Sequence, residues 1–319
     1  MSVFFKVAVH SLQLVAVDVL AIELRRLDGK ALPPVEAGAH IDLQLPNGMV
    51  RSYSLCNEPG EDRFYVVAVL RDRVSRGGSR CVHEALQVGD IIHIAGPRNH
   101  FRLDESAEHS VLVAGGIGVT PILCMARRLR QLGRSAEILY FSRSHQTAAY
   151  VAELRALGFP LHLHIDEEMG GPPDLRVLLE GRVSRPGTHL YACGPAVMLD
   201  AFVATCEHLG MLDYHIERFA AQPVPDKRCE RRAYSVELRR SGRRVEVRPG
   251  QTLLRALLDE GVKVDHACEE GICGACRTAV LEGEPDHRDS VLTSHERDSN
   301  HVIMPCVSGC RSSRLVLDL

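Results

Sequence analysis

The chain has 319 residues, enough for two or three domains that each bury a core of their own. At 45% hydrophobic and 25% charged residues the composition is that of a globular protein, and no apolar run is long enough to span a bilayer. A net charge of −3 argues against nucleic-acid binding, which wants a strongly basic face. The eleven cysteines are an odd number. The apolar start, Met1-Ser2-Val3-Phe4-Phe5-Lys6-Val7, lacks a basic leader region and reads as a first strand. Together these features favour reduced thiols, a metal site and a cytoplasmic protein over a disulfide framework.

Residues 1–105 show short alternating segments such as His40–Leu45 and Phe64–Val69, punctuated by turns at "PNG" and "EPGED", the pattern of an antiparallel β-barrel. "RSYSL", from Arg51 to Leu55, closes one strand with a guanidinium suited to phosphate, an aromatic ring at Tyr53 and a hydroxyl at Ser54. In "SRGGSRCVHEAL", Gly77, Gly78 and Ser79 precede a short helix. They read either as an anion-binding turn or as a plain glycine turn with Ser79 as N-cap.

From 106 to 222 the period changes. An apolar strand, "SVLVA", runs through "GGIGVTP" into a helix with Ile122, Met125, Leu129 and Leu132 on one face and Gly133 as its stop. Further strands ("AEILYFS", "LHLHID", "THLYA") alternate with helical segments, which predicts a parallel, doubly wound α/β sheet. The glycine loop is not the GxGxxG fingerprint, but it is a phosphate-cradling turn, and "YACGPAVMLDAF" repeats the device at Cys193-Gly194-Pro195. Two such loops at strand ends point to a ligand crevice. The stretch "AAQPVPDKRCERR" then breaks the pattern, and 223–232 reads as a linker. Residues 233–319 run strand, turn, strand, short helix stopped by Gly261, cysteine loop and further strands: a small α+β domain.

Within that domain Cys268-x4-Cys273-x2-Cys276 and a distant Cys306 have the spacing of a plant-type [2Fe–2S] site. Gly271 and Gly274 fit a loop that turns its amide N–H groups towards sulfur. A zinc knuckle would want a different first spacing. Cys310 lies four residues after Cys306, and either could supply the fourth thiolate. Cys306 is favoured because "VIMPCV" delivers it from an apolar strand, whereas Cys310 reads as an exposed loop thiol. Residues 259–298 hold eleven acids against four Lys and Arg, an acidic face that would steer a basic partner into contact.

"RSYSL", "GGS", "GGIGVTP", "CGP", "ERF" and the cysteine pattern occur in the order found in the ferredoxin–NADP reductase superfamily, and over essentially the whole chain they resemble its phthalate dioxygenase reductase branch. The resemblance implies an FMN-binding barrel, an NAD-binding domain and a C-terminal β-grasp ferredoxin domain. It also implies a role as reductase component of a Rieske-type aromatic oxygenase, a separate chain that binds the aromatic substrate. Carried over position by position, Arg51, Tyr53 and Ser54 hold FMN, with Ala68 near the ring and Gly78 and Ser79 near the phosphate. Gly116, Thr120, Cys193 and Gly194 line the nicotinamide side, and Glu217-Arg218-Phe219 brings Phe219 against the flavin. Cys310 departs from the family's expected pattern.

The resemblance then implies an electron route from NADH through flavin to cluster to oxygenase. That route runs downhill from a plant-type cluster near roughly −400 mV to a Rieske centre at about −150 to +300 mV. The cofactors carry the chemistry, so no catalytic side chain is nominated. A lone Arg143 after the second strand of the nucleotide domain is thin support for NADPH, and NADH is expected. The protein is expected to act as a monomer. The rival readings are an FAD-dependent reductase for another monooxygenase, and a redox-sensing iron–sulfur module without turnover.

Overall fold

The computed structural model describes residues 4–182, 186–219, 233–266 and 268–319; the linker expected at 223–232 lies outside the described residues. The chain forms two compact units, one ending at Glu217 and the other running from Arg218 to Leu319.

The first unit opens with six antiparallel strands: β1 (Phe5–Ala16), β2 (Val19–Arg26), β3 (His40–Gln44), β4 (Val50–Ser54), β5 (Tyr65–Leu70) and β6 (Ile91–Arg98). Their order is β4-β3-β6-β1-β2-β5. The two outer strands do not stay apart: just beyond β4, Leu55 bridges Val67 and the Cys56 N–H donates to Val66 O at 2.8 Å. Alternation sends Val7, Val9, Ile22, Leu24, Ile41, Leu43, Val67 and Ile94 to one buried cluster, as period-2 strands require. Helix α1 (Gly78–Glu84) adds Val82 to that core.

The same unit continues with a wholly parallel sheet of β7 (His109–Gly115), β8 (Ser135–Ser142), β9 (Leu161–Ile165), β10 (Thr188–Cys193) and β11 (Tyr214–Glu217), ordered β11-β10-β7-β8-β9. Every residue of the central strand β7 is buried, because helices cover both faces. Leu112 and Ala114 meet α2 (Val119–Gln131) and α3 (Val151–Ala156) through Ile122, Met125, Leu129 and Leu154. Val111 and Val113 face α5 (Leu175–Glu180) and α6 (Ala196–His208) through Leu179, Leu199 and Phe202. A short helix, α4 (Asp166–Met169), follows β9. Burying each of these large side chains contributes about 1.5–3 kcal/mol, which is why the sheet forms despite its non-local pairing. Chain order reverses between β7 and β10, so a crevice opens at their carboxyl ends, where both glycine loops sit. Ala68 and Cys56 of the antiparallel part join the α2-side cluster, so the two sheets share apolar core.

The second unit is a mixed sheet of β12 (Tyr234–Leu238), β13 (Arg243–Val247), β14 (Thr278–Glu282), β16 (Val302–Ile303) and β18 (Arg314–Leu317), ordered β13-β12-β18-β14-β16. The pair β12–β18 is parallel and the other pairs are antiparallel. Helix α7 (Leu253–Asp259) packs Leu253, Leu254 and Leu257 on this sheet, and its Thr252 hydroxyl accepts from the Arg255 N–H at 3.1 Å, a cap that stabilises by about 1 kcal/mol. A two-stranded ribbon of β15 (Pro285–Asp286) and β17 (Gly309–Cys310) and the helix α8 (Ser294–Ser299), opened by a Thr293/Glu296 capping box, complete it.

Candidate functional site

At the crevice of the first unit the two glycine loops touch through backbone. A Cβ on Gly118 would stand 2.1 Å from Cys193 O, and one on Gly194 would stand 3.0 Å from Gly115 Cα and 2.7 Å from Met198 Cε. Only glycine allows this approach. Gly116 takes φ +52 and opens a 3₁₀ turn over Gly116–Gly118; its carbonyl accepts from the Tyr140 hydroxyl at 3.3 Å. Thr120 is buried, and its hydroxyl donates to Ile117 O at 3.0 Å, so it braces the loop.

Across the crevice Ser54 donates to the Glu217 carboxylate at 3.1 Å. Part of the Glu217 residue stays accessible, yet its carboxyl is desolvated. Burial pushes it up to about 7, against the opposing hydrogen bond from Ser54. The fully buried Cys193 thiol is pushed far up by burial and then by the Glu217 charge. Ser54, Glu217 and Cys193 therefore form one group drawn from β4, β11 and β10.

Arg51 and Tyr53 alternate with Ser54 along β4 and lie on its other side. A Cβ on Gly78 would meet Arg51 Cγ and Nε at 3.0 Å, so the turn before α1 rests on the arginine stem. Tyr53 packs against the antiparallel core, and burial pushes its phenol up to about 12, keeping it a neutral donor. Ser79 is not an N-cap. Gly77 holds that position at φ +109, and the Ser79 hydroxyl instead bonds Ser75 Oγ at 3.0 Å and accepts from the Asp72 N–H at 3.2 Å. Ala68 is buried in the cluster that also holds Val119 and Cys193. Phe219 is 41% exposed.

In the second unit Cys276 and Cys306 have their sulfurs 3.3 Å apart, and Cys268 is hydrogen-bonded to Cys273. Among the described residues no three His, Cys, Asp or Glu side chains meet at ready-made metal spacing; the thiols stand as two pairs. The surroundings nonetheless fit an anionic iron–sulfur group. Backbone N–H groups of Glu270, Ile272 and Cys273 turn on Cys268, that of Ala275 on Cys273 and that of Gly271 on Cys306. The Cys273 thiol and then these amides, outweighing burial, draw the Cys268 thiol below its ordinary range. Gly271 at φ +73 and Gly274 at φ +69 make the turn possible; a Cβ on Gly271 would lie 2.6 Å from Val307 Cγ2. Cys310 is half-buried in β17 rather than an exposed loop thiol, and it donates to Ser312 O at 2.9 Å.

Residues 236–311 match the 2Fe-2S iron-sulfur cluster binding domain, and 95–216 match the N-terminal domain of the dimethylamine monooxygenase subunit DmmA-like family. Phenoxybenzoate dioxygenase subunit beta of Ectopseudomonas oleovorans is 44% identical over 98% of this chain and 96% of its own. Phthalate dioxygenase reductase of Burkholderia cepacia is 39% identical over 99% and 98%. The solved structure titled as a modular phthalate dioxygenase reductase for electron transfer from pyridine nucleotides to [2Fe-2S] superposes with a TM-score of 0.70 at 38% identity, over 99% of this chain and 98% of that one. CYP116B46 of Tepidiphilus thermophilus superposes with a TM-score of 0.91 at 42% identity, this chain spanning 42% of that one. The chain belongs to the phthalate dioxygenase reductase family. It is an oxidoreductase of the kind that serves aromatic oxygenase systems.

Within this family member the acidic face is weaker than its composition. Asp259, Glu260, Glu282, Asp286 and Glu296 are engaged by Arg255, Arg243, Arg239, Arg288 and Arg277. Sequence reasoning missed Tyr140 at the loops and the carboxyl of Glu217 as a chemical group. Only the family's "ERF" tripeptide pointed near the last of these.

Proposed function

We propose that the chain carries electrons from NADH through FMN and a [2Fe–2S] cluster to a separate Rieske-type aromatic oxygenase, as a cytoplasmic monomer. The domains are a closed FMN-binding barrel over 1–105, a doubly wound NAD domain over 106–222, a linker over 223–232 and a β-grasp ferredoxin domain over 233–319. The Leu55–Val67 bridge supports barrel closure, and helices on both faces of the parallel sheet support double winding. The observation that carries the reading is the cysteine cradle, with five backbone amides turned on its thiols. It sits on a chain whose other unit brings two glycine loops to one crevice.

Bound here, FMN would supply the conversion from two-electron to one-electron chemistry between NADH and the cluster. The chain's own residues bind and shield. Arg51, Gly78 and Ser79 hold the flavin phosphate end. Tyr53, Ser54 and Ala68 hold the ring. Gly116, Thr120, Cys193 and Gly194 shape the nicotinamide slot. Glu217, half-protonated near neutrality, keeps a hydrogen-bonding carboxyl at the crevice without fixing a full charge there. Cys268, Cys273, Cys276 and Cys306 ligate the cluster, Cys306 being preferred to Cys310 by its 3.3 Å contact with Cys276. NADH is preferred to NADPH because the acidic helix α4 borders the carboxyl end of β8. The Glu167 N–H donates to Arg143 O at 3.1 Å, and carboxylates there repel a 2′-phosphate.

NADH oxidation coupled to cytochrome c reduction tests this: turnover is expected in the full chain and its absence contradicts it. The likeness to part of CYP116B46, a cytochrome P450 by its name, favours as second reading a haem monooxygenase acceptor. Reduction of a partner's haem rather than its Rieske centre separates the two.

A further inference from the structure

Beneath the cysteine loop lies a buried carboxylate that neither the ligand set nor the flavin site uses. The Asp289 side chain is 0% exposed. Its Oδ2 accepts from the N–H groups of Val291 at 3.1 Å and Leu292 at 2.8 Å, and its Oδ1 accepts from the Ser308 hydroxyl at 3.5 Å. Three donors converge on this one acceptor group. The Arg297 guanidinium reaches the Asp289 backbone carbonyl at 2.7 Å, and His287 Nδ1 stands 3.9 Å from Oδ1. Among the described residues neither of the buried His287 ring nitrogens has a hydrogen-bond partner.

The position of Asp289 is what gives it a role. Next to it, the Ser290 N–H donates to Gly271 O at 2.9 Å, and the Asp289 Cα is 3.2 Å from where a Gly271 Cβ would stand. Gly271 lies between Cys268 and Cys273, and its own N–H turns on Cys306. Ser308, on the other side, is two residues past Cys306, and its N–H donates to Met304 O at 3.0 Å. The carboxylate thus holds its own turn at 289–292, whose Ser290 N–H grips the cysteine loop at Gly271, and reaches Ser308 in the segment that delivers the fourth cysteine.

We propose that Asp289 is a positioning residue for the iron–sulfur centre: it locks the two halves of the cysteine cradle in register and, as a fixed negative charge beneath the loop, holds the centre's potential low. This rests on the cluster reading above. A low potential keeps the onward electron step downhill, and a buried charge acts at long range because little water screens it. The proposal assigns the "RDS" turn a function other than ligation.

The test is a potentiometric titration of the full chain followed by electron paramagnetic resonance, with cluster absorbance read in parallel. Asp289→Asn retains an oxygen acceptor for the two N–H groups and removes the charge. It is expected to keep the cluster and to shift the one-electron equilibrium about tenfold towards reduction, which is about 59 mV. Ser308→Ala removes a donor from the carboxylate and is expected to shift the equilibrium the opposite way, by a smaller factor. Asp289→Ala is expected to lose the cluster faster than Asp289→Asn. If both Asp289→Asn and Ser308→Ala titrate at the wild-type potential, the electrostatic role is wrong, whatever happens to stability. A wild-type chain that holds no cluster overturns the functional reading itself, an outcome distinct from an unshifted potential.

Discussion

Glu217→Gln isolates the buried carboxyl at the crevice. Burial raises this acid from 4.5 to about 7, so the folded chain binds its proton more tightly than the unfolded chain. The stabilisation is fully present below 4.5 and is lost as pH rises through about 7. Between pH 5 and 8 the two values give a loss of about 2.5 kcal/mol, at about 1.36 kcal/mol per unit. Partial accessibility of the residue trims this to about 1–2 kcal/mol. Gln keeps an oxygen to accept from Ser54 but does not titrate, so the wild type should be the relatively more stable at pH 5 and lose that advantage by pH 8. Urea unfolding of the FMN-loaded full chain, followed by the rise in flavin fluorescence on release, reads the first unit directly. Parallel stability profiles for the two proteins across pH 5–8 would refute the desolvated placement of the carboxyl.

Gly118→Ala puts a methyl 2.1 Å from a backbone oxygen that cannot move aside. It should cost about 2 kcal/mol or more in the first unit and abolish NADH-driven flavin reduction while cluster absorbance persists. Arg51→Ala removes a charge-assisted contact worth about 1.5–3 kcal/mol, so equilibrium dialysis should show FMN binding weakened roughly tenfold to a hundredfold. Cys306→Ser should lose the visible cluster spectrum and Cys310→Ser should retain it, since only Cys306 reaches the thiol of Cys276; the reverse result would exchange the two assignments.

How much of this was legible in the sequence follows from the range of each interaction. The cysteine loop could be read because its chemistry is local: three thiols and two positive-φ glycines within nine residues fix both the turn and its amides. The two glycine loops could be read for the same reason, each being a strand end and a helix start in one short string. The contact between those loops could not be read. The demand for glycine at Gly118 comes from Cys193, which arrives on a strand far along the chain. Ser54 and Glu217 are separated by 163 positions, and neither residue type predicts the other. Asp289 looked like one acid among eleven, because burial rather than identity sets it apart. Of the two readings open at Ser79, the structure excludes the cap. Its position suits a cap, but Gly77 takes the left-handed backbone there and frees the hydroxyl to close its own loop on Ser75. The acidic face is weaker than its composition because its carboxylates are paired, some by arginines outside the segment, such as Arg239 on Glu282 and Arg243 on Glu260, and some by arginines within it, such as Arg277 on Glu296.

The central claim is that one polypeptide turns a two-electron donor into single electrons. Anaerobic addition of NADH to the purified full chain tests it most directly, with flavin absorbance and cluster paramagnetism recorded together. The account predicts equimolar flavin and cluster, bleaching of the flavin, and then a paramagnetic signal from reduced iron. Flavin that bleaches while the iron stays silent, or a cluster-bearing chain that retains no flavin, would contradict it.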